Sequence, residues 1–464
     1  MSAGFLKQPG SARKETDWKL FYKQVLLLVL PMALQNLINV GVSAADVIML
    51  GRVGEKVLSG ASLAGQIQYI MTLILYGITS GATVLTAQYW GKKDTAAIEK
   101  ILGIGLTAGL ATALVFTAGA ELIPRYLMRI YTGDEQVITE GVKYLRIVGI
   151  SYLFTAVTQV YLYIMRSIER VVIATVVYSL SLLTNICINA VLIFGLFGFP
   201  EMGIAGAAIG TLAARILELA VVIWYGHVKN RVVRFHFRNM WKMDRMLLRD
   251  FAVYASPVIL NELMWGLGTS ANTAIIGHLG SAAVAANSVA QVARQLATVV
   301  AFGVSNATAV YLGKTIGEKK YELAKEYGKR FAWLSVLTGL AGGLLILASG
   351  PAVNRFMVLS DESRGYLMFM FVVMSYFTLA QSVNTTLVVG VFRSGGDTRF
   401  GLLLDVGTMW GCSILLGFLA AFVFHAGVPV VYVILMSDEV IKVPITLRRF
   451  LNFKWIKNIT REAV

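Results

Sequence analysis

Runs of about twenty or more apolar residues recur along the whole chain, and they limit its fold more strictly than any other feature. As an α-helix, a run of that length crosses a hydrocarbon core about 30 Å thick. Only helices or closed barrels satisfy all backbone hydrogen bonds in such a core, and these runs lack the alternation of barrel strands. With 57% hydrophobic and 14% charged residues, the 464-residue chain is predicted to be an all-α integral membrane protein.

The apolar runs give about twelve predicted transmembrane helices. They lie at residues 20–50, 60–90, 99–121, 136–165, 171–198, 203–225, 250–277, 285–313, 329–350, 365–392, 401–424 and 427–445. Residues 1–19 are polar and charged, so we expect no cleavable signal before the first span. The two cysteines, Cys187 and Cys412, fall inside apolar runs, which does not indicate a disulfide.

Basic residues concentrate in alternate connections between these runs. Examples are Lys92 and Lys93, the loop 226–249, the stretch 314–330 and the stretch 448–461. Cytoplasmic loops of membrane proteins carry such an excess. The pattern predicts a multi-pass protein of the cell (plasma) membrane with both termini in the cytoplasm. A solvated cytoplasmic face accounts for the net charge of +15, so we expect no nucleic-acid partner.

The two halves of the chain repeat each other at an offset of 226 residues. Pro31 corresponds to Pro257, Gly51 to Gly277 and Gly54 to Gly280. Similar lipid-facing composition explains matched hydrophobicity but not matched glycines and prolines. We therefore predict two parallel six-helix repeats, as in many transporters. The predicted parts are a cytoplasmic tail 1–19, an N-lobe 20–225, a basic linker 226–249, a C-lobe 250–450 and a cytoplasmic tail 451–464.

The first span carries a polar stripe. Gln35, Asn39, Ser43 and Asp46 are spaced four, four and three residues apart, which places them on one helix face. A charged side chain at the bilayer centre costs about 2.5 to 3.5 kcal/mol on insertion scales, so Asp46 is predicted to accept a proton or cation. The other three either contact substrate or join helices by hydrogen bonds.

A second stripe lies on the fifth span, where Ser181, Asn185 and Asn189 recur every four residues. Thr211 on the sixth span offers a further oxygen. Hard cations prefer oxygen ligands, so these side chains either complete an ion site or hold helices together. The hypothesis is ion coupling at Asp46, Asn185, Asn189 and Thr211, with a possible Na⁺ site at the first three.

Glu262 is the deeply placed acid of the second half. Trp265, Thr269 and Thr273 share its helix face, and this combination of charge and aromatic wall suits an organic cation. The alternative is a glutamate bonded to neighbouring helices. The remaining intramembrane charges are interpreted as structural pairs: Asp405 with Arg393 or Arg399, Asp438 and Glu439 with Lys442 at the end of the last span, and Glu218 with Arg215.

Signatures of several enzyme classes are absent: the sequence has no GxxxxGK[ST], no HExxH and no GxSxG set between a strand and a helix. We expect no enzyme and no cofactor other than Na⁺ or H⁺ as coupling ion.

The motifs, taken in order, resemble those of the multidrug and toxic compound extrusion (MATE) family of secondary transporters. The similar segments are "LPMALQNL", "AADVIMLGRVG", "TAQYWGKKD", "NICINAVLIFGLFGFPEMGIAGAAIGT", "SPVILNELMWGLG", "FRSGGDTRF" and "SDEVIKVPITLRRF". The resemblance implies two pseudo-symmetric six-helix bundles around a central V-shaped cavity.

The family's ion-linked positions match this chain unevenly. Asp46, Asn185 and Thr211 match an aspartate, an asparagine and a threonine of the N-lobe site, and Glu262 matches a glutamate of one bacterial branch. Some members have aspartate where Asn189 stands. Ser382 or Asn384 stands near the place of a further aspartate in that branch. The choice between Na⁺ and H⁺ is therefore open.

The resemblance predicts a monomeric antiporter that exports amphipathic, often cationic, organic compounds. Gln35, Asn39, Ser43, Trp265, Thr269 and Asn384 are the candidate substrate contacts. The alternative is a flippase for lipids or lipid-linked oligosaccharides, which predicts a cavity richer in Arg and Lys; Arg166 is the clearest intramembrane base. A channel is the third possibility, but it needs neither duplicated halves nor a coupling acid.

Overall fold

The computed structural model describes residues 18–230, 232–233, 244–356 and 360–461. Its helices, numbered in chain order, are α1 Trp18–Val53, α2 Glu55–Gly91, α3 Thr95–Leu122, α4 Pro124–Arg129, α5 Glu135–Ser167, α6 Val172–Phe194, α7 Ile204–Trp224, α8 Arg245–Gly277, α9 Ser281–Gly317, α10 Tyr321–Phe356, α11 Asp361–Thr385, α12 Thr398–Val423, α13 Val428–Leu435 and α14 Asp438–Leu451. No β-strand occurs in this part of the chain, so the predicted all-α class is confirmed. Most of the predicted tail 1–19 and much of the predicted linker 226–249 lie outside the described residues.

Ten of these helices are long and apolar enough to cross a membrane, counted over the described residues: α1, α2, α3, α5, α6, α7, α9, α10, α11 and α12. The predicted span 250–277 corresponds to α8, which carries Arg245, Arg249 and Asp250 in its first turns. The predicted span 427–445 was wrong as a single helix. It is divided between α13 and α14 at Met436 and Ser437.

We refer to α1–α7 as the N-lobe and to α8–α14 as the C-lobe, following the division predicted from the sequence. The first helix of each lobe packs against the second helix of the other lobe, α1 against α9 and α8 against α2. Phe21 on α1 is buried in the C-lobe, where its ring stacks on that of Tyr327 at 4.7 Å. Two of the hydrophobic cores accordingly combine residues of both lobes, whereas a third lies within the C-lobe.

Glycines allow the close approach between the lobes. Gly77 faces Ile259 on α8, and Gly303 faces Ala33 on α1. Farther along α2 and α9, Gly91 lies against the carbonyl oxygen of Lys314, and Gly317 against that of Gln88. A β-carbon at Gly91 or Gly317 would overlap those carbonyl groups. Each contact has its counterpart 226 residues away, so the interface between the lobes is pseudo-symmetric with the offset inferred from the sequence.

Polar contacts between the lobes cluster at the same end of the molecule. Lys314 pairs with Glu169 at 2.8 Å, and the Tyr311 hydroxyl donates to Gln24 at 2.8 Å. The basic residues that predict the cytoplasmic side lie at this end, so we refer to it as the basic end. The lobes are held together there.

The predicted C-terminal tail 451–464 is not free over its described part. Residues 452–461, which we name the C-terminal strap, lie across both lobes. Gln88 of the N-lobe donates to the carbonyl oxygens of Ser394 (2.7 Å) and Lys457 (3.0 Å). Arg461 binds Asp250 through two contacts of 2.5 and 2.6 Å. Trp455 is fully buried, with its ring stacked against Phe450. The strap thus closes the basic end.

We expect Trp455→Ala to lower the free energy of unfolding by roughly 3 to 5 kcal/mol, because it removes a buried aromatic side chain and leaves a cavity. Trp333→Ala is the control, since the Trp333 side chain is 67% exposed. Thermal unfolding of detergent-solubilised protein, followed by circular dichroism, compares the two variants. Equal melting temperatures would contradict the packing role of the strap.

Candidate functional site

Each lobe contains a polar cavity in the part of the chain that the structure describes. The N-lobe cavity, of about 480 Å³, lies among α1, α2, α5, α6 and α7. The C-lobe cavity, of about 250 Å³, is lined mainly by α8, α9, α11 and the joint between α13 and α14. Tyr69 lines both, so the two cavities adjoin.

The two cavities are copies of each other. Eight lining positions correspond at the offset of 226: Ser43 and Thr269, Asp46 and Asn272, Val47 and Thr273, Leu50 and Ile276, Ala61 and Asn287, Gly65 and Gln291, Gln68 and Arg294, and Tyr69 and Gln295. The two cavities therefore share lining positions, although they differ in volume and in charge. Asp46 is replaced by an amide in the C-lobe, and Gln68 by a guanidinium.

The structure brings the four N-lobe residues singled out in the sequence together. Asn189 Nδ2 donates to Asp46 Oδ1 at 2.6 Å and to Asn185 Oδ1 at 3.2 Å. Asn185 Nδ2 lies 3.5 Å from Thr211 Oγ1. The hydrogen-bonded chain thus runs from α1 through α6 to α7. Side chains four residues apart share a helix face, which explains why Asn185 and Asn189 meet Asp46 together.

Two features of this chain of contacts concern Asn189. Gly210 on α7 lies directly against the Asn189 carboxamide, and a β-carbon there would overlap it. The side-chain carbonyl oxygen of Asn189, Oδ1, has no hydrogen-bond partner among the described residues. That oxygen is available to accept a proton carried by Asp46 or to ligate a cation.

Two residues of the N-lobe site were not predicted from the sequence. Tyr144 on α5 and Arg215 on α7 both line the cavity with Asp46. Arg215 also binds Glu218 at 2.6 Å, as expected, so its charge is shared between a partner and the cavity. The spacing of Thr211 and Arg215 by four residues was the signal that both face the same way.

The polar stripe on α1 does not act as one unit. Gln35 is buried and bonds Arg166 at 2.6 Å, the carbonyl oxygen of Val171 at 3.1 Å and Thr175 at 2.9 Å. These bonds join helices and agree with the structural alternative. Asn39 is exposed, and Ser43 lines the N-lobe cavity beside Asp46.

Glu262 lies in a buried ion pair. Arg393 Nη2 donates to Glu262 Oε1 at 2.8 Å, and Arg393 Nη1 donates to Ser80 at 3.0 Å. Trp265 and Thr269 line the C-lobe cavity, but Glu262 is not among its lining residues. The expected pairing of Asp405 with Arg393 or Arg399 was wrong, because Arg393 binds Glu262 and the Asp405 carboxylate binds Lys442 at 3.1 Å.

A buried charge cluster surrounds Lys442 on α14. Its Nζ lies 3.1 Å from Asp405, 3.3 Å from Asp438 and 3.1 Å from Glu439. The interpretation of the last two as a simple helix-end pair was incomplete, because the Lys442 side chain is only 2% exposed and also binds an acid from α12. The break at Ser437 starts a new helix whose positive end faces these acids.

Asparagines fix the acids of this cluster. Asn261 donates to Asp405 at 2.8 Å, and Asn384 donates to Glu439 Oε2 at 2.8 Å. Thr446 in turn donates to Asn384 at 2.9 Å. Asn384 is thus a member of the network rather than a free cavity residue.

A family model and several known proteins are similar to this chain in sequence. The family model MatE matches residues 31–191 and 257–442, two segments whose starts are 226 residues apart. The "Probable multidrug resistance protein NorM" of Thermotoga maritima is 23% identical over 453 residues and covers 95% of each chain. The "Probable multidrug resistance protein YoeA" of Bacillus subtilis is 22% identical over 86% of each chain.

Solved structures show the same fold. A mutant of the Vibrio cholerae MATE transporter VcmN superposes with a TM-score of 0.85 at 16% identity, covering 94% of this chain and 97% of that one. A structure described as the outward-facing conformation of a multidrug resistance MATE family transporter has a TM-score of 0.84 at 18% identity, with coverage of 93% and 96%.

We expect Glu262→Gln to destabilise the protein by roughly 3 to 5 kcal/mol, because it leaves the Arg393 guanidinium buried without its charge partner. The double variant Glu262→Gln with Arg393→Met is expected to recover much of that loss. Thermal unfolding of both variants in detergent measures the difference. A double variant no more stable than the single one would show that the pair is not the reason for the loss.

Proposed function

The chain belongs to the MATE family of membrane transporters, and on that premise we propose that it exports amphipathic, often cationic, organic compounds in exchange for Na⁺ or H⁺. The family model covers most of both lobes, and curated relatives carry the name multidrug resistance protein. Multidrug efflux is thus supported by relationship. The coupling ion and the residues that bind it form the proposal.

The observation that carries the proposal is the hydrogen bond from Asn189 to Asp46 at the wall of a cavity. An ionised Asp46 accepts this bond. When a proton or Na⁺ binds Asp46, its carboxylate no longer favours a hydrogen-bond donor as neighbour. The free side-chain carbonyl oxygen of Asn189 then becomes the better partner for the loaded Asp46. The same three helices therefore prefer different arrangements in the two charge states.

Coupling requires that the ion and the substrate favour different arrangements of the lobes by different free energies. In the present arrangement the lobes are closed at the basic end. We propose that loading Asp46 shifts the balance between this arrangement and one that opens the basic end to the cytoplasm. Asp46 acts with Asn185, Asn189 and Thr211 in this role.

Glu262 has a proposed role as well, in attracting the cationic substrate or a second coupling ion. Its pair with Arg393 neutralises it in the present arrangement, so this role requires a state in which the pair separates. Trp265 and Thr269 line the adjoining cavity, and Ser43 lines the other, as candidate substrate contacts. Gln35 and Asn384 are held by structural bonds, and Asn39 is exposed on its helix.

A second candidate function is a flippase for lipids or lipid-linked oligosaccharides. Arg166 and Arg294 favour it, because neither has a carboxylate within salt-bridge distance among the described residues. Acidic side chains nevertheless line both cavities, which disfavours a phosphate-bearing substrate. In either case the proposal is a monomer in the cell membrane, with both termini cytoplasmic and no cofactor besides the ion.

The first test uses everted membrane vesicles and a fluorescent organic cation such as ethidium. We expect either an imposed Na⁺ gradient or an imposed proton gradient to drive uptake by the wild type, and Asp46→Asn to abolish it at equal expression. The ion that drives uptake is the coupling ion. Failure of both gradients with several chemically different cations would leave the flippase as the leading function.

Gly210→Ala is a second test, at a position that bears no charge. The added β-carbon displaces Asn189 from Asp46, so we expect uptake to fall by about tenfold or more at equal expression. Gly65→Ala is the matched control, because it lines the same cavity and a β-carbon there meets nothing within 4 Å. Normal uptake by Gly210→Ala would argue against a need for the Asp46–Asn189 contact.

A further inference from the structure

The C-lobe cavity presents charges of both signs on different walls. Asp438 and Glu439 contribute carboxylates from the start of α14, and Arg294 contributes a guanidinium from α9. In the N-lobe cavity, the position that corresponds to Arg294 holds the neutral Gln68. The C-lobe cavity therefore gained a positive group that the N-lobe cavity lacks at this position.

Arg294 is held in place by amides rather than by an acid. Its Nε donates to Gln291 at 2.9 Å and its Nη1 to Gln381 at 3.1 Å. Both glutamines also line the cavity. No described residue accepts a hydrogen bond from Nη2, and no carboxylate of the described chain lies within 4 Å of the guanidinium. A charged group with a fixed geometry and unused donors is poised for an anionic partner.

Hydrogen-bond acceptors also line the C-lobe cavity. Lys442 lies behind Asp438 and Glu439 and offsets part of their charge. Asn272 and Asn287 line the same cavity, are 9% and 6% exposed, and have carbonyl oxygens without a hydrogen-bond partner among the described residues. A buried acceptor left unpaired is costly, so a ligand that donates hydrogen bonds here gains from supplying them.

A purely cationic ligand is attracted by the acids but repelled by Arg294. A purely anionic ligand is attracted by Arg294 but repelled by the acids. We propose that the C-lobe cavity binds the head of a zwitterionic organic molecule. Its ammonium group lies against Asp438, Glu439 and the two asparagines, and its carboxylate lies against Arg294. The site deepens the proposed export function by naming a substrate class, and it rests on that function.

The cavity size fits this assignment. About 250 Å³ is smaller than the usual range for a whole drug-sized ligand, so it holds the charged head and a short stem. Trp265 and Phe377 supply aromatic walls for the stem. The rest of the molecule extends past Tyr69, which separates the two cavities.

The test is direct binding without any ion gradient, measured by fluorescence anisotropy with the purified protein in lipid nanodiscs and empty nanodiscs as blank. The probes form a matched set: ε-dansyl-L-lysine is the zwitterion, its methyl ester is the cation, and its Nα-acetyl derivative is the anion. We expect the zwitterion to bind at least about tenfold more tightly than either derivative, because each derivative loses one charge-assisted contact.

The variants assign the two charges. Arg294→Gln is expected to weaken the zwitterion about tenfold and to leave the methyl ester unchanged. Asp438→Asn is expected to weaken both the zwitterion and the methyl ester. Lys143→Gln, which removes one positive charge from a side chain that is 54% exposed and lines neither cavity, serves as the control and leaves all three affinities unchanged.

Equal binding of the zwitterion and its methyl ester overturns the proposal, as does an Arg294→Gln variant that binds the zwitterion normally or the failure of all three probes to bind. These results are distinct from failure of the export function, which is judged by gradient-driven uptake of ethidium and by Asp46→Asn. Selective zwitterion binding in a protein that shows no coupled uptake keeps the site and rejects the export function.

Discussion

Close approach of the α2 and α9 backbones holds the two lobes together. Helices in a membrane gain little from hydrophobic burial against each other, so association depends on tight packing and hydrogen bonds. Gly91 and Gly317 permit that packing at the basic end, and Gly77 and Gly303 permit the neighbouring contacts of α2 with α8 and of α9 with α1. Because the lobes are fixed together there, the two polar cavities can lie side by side at Tyr69 farther along the same helices.

Much of this arrangement was readable in the sequence. Apolar run length predicted the helices, and Pro31 with Pro257 gave an offset that also relates the interface glycines and the cavity linings. Helical spacing predicted that Asn185 and Asn189 share a face. What the sequence did not predict was the choice of partner between distant helices. Arg393 binds Glu262 and Lys442 binds Asp405, and such choices depend on helix rotation and depth, which local spacing does not determine.

The two cavities share lining positions at the offset of 226 residues but differ in chemistry and in volume. Asp46 is hydrogen-bonded by a neutral amide, which suits a group that changes its charge state. At the corresponding place the C-lobe has Asn272, and its acids come instead from the first turn of α14 with Lys442 beside them. Each cavity therefore carries charges of both signs, but at different positions of the repeat.

The C-terminal strap has a consequence for how the protein is made. Residues 452–461 follow every described helix, and the strap is therefore the last of the described segments to leave the ribosome. Gln88 and Asp250, its partners, are synthesised and inserted long before it. Until the strap has been synthesised, these two partners lack their hydrogen bonds to it, and the contact between the lobes at the basic end is incomplete.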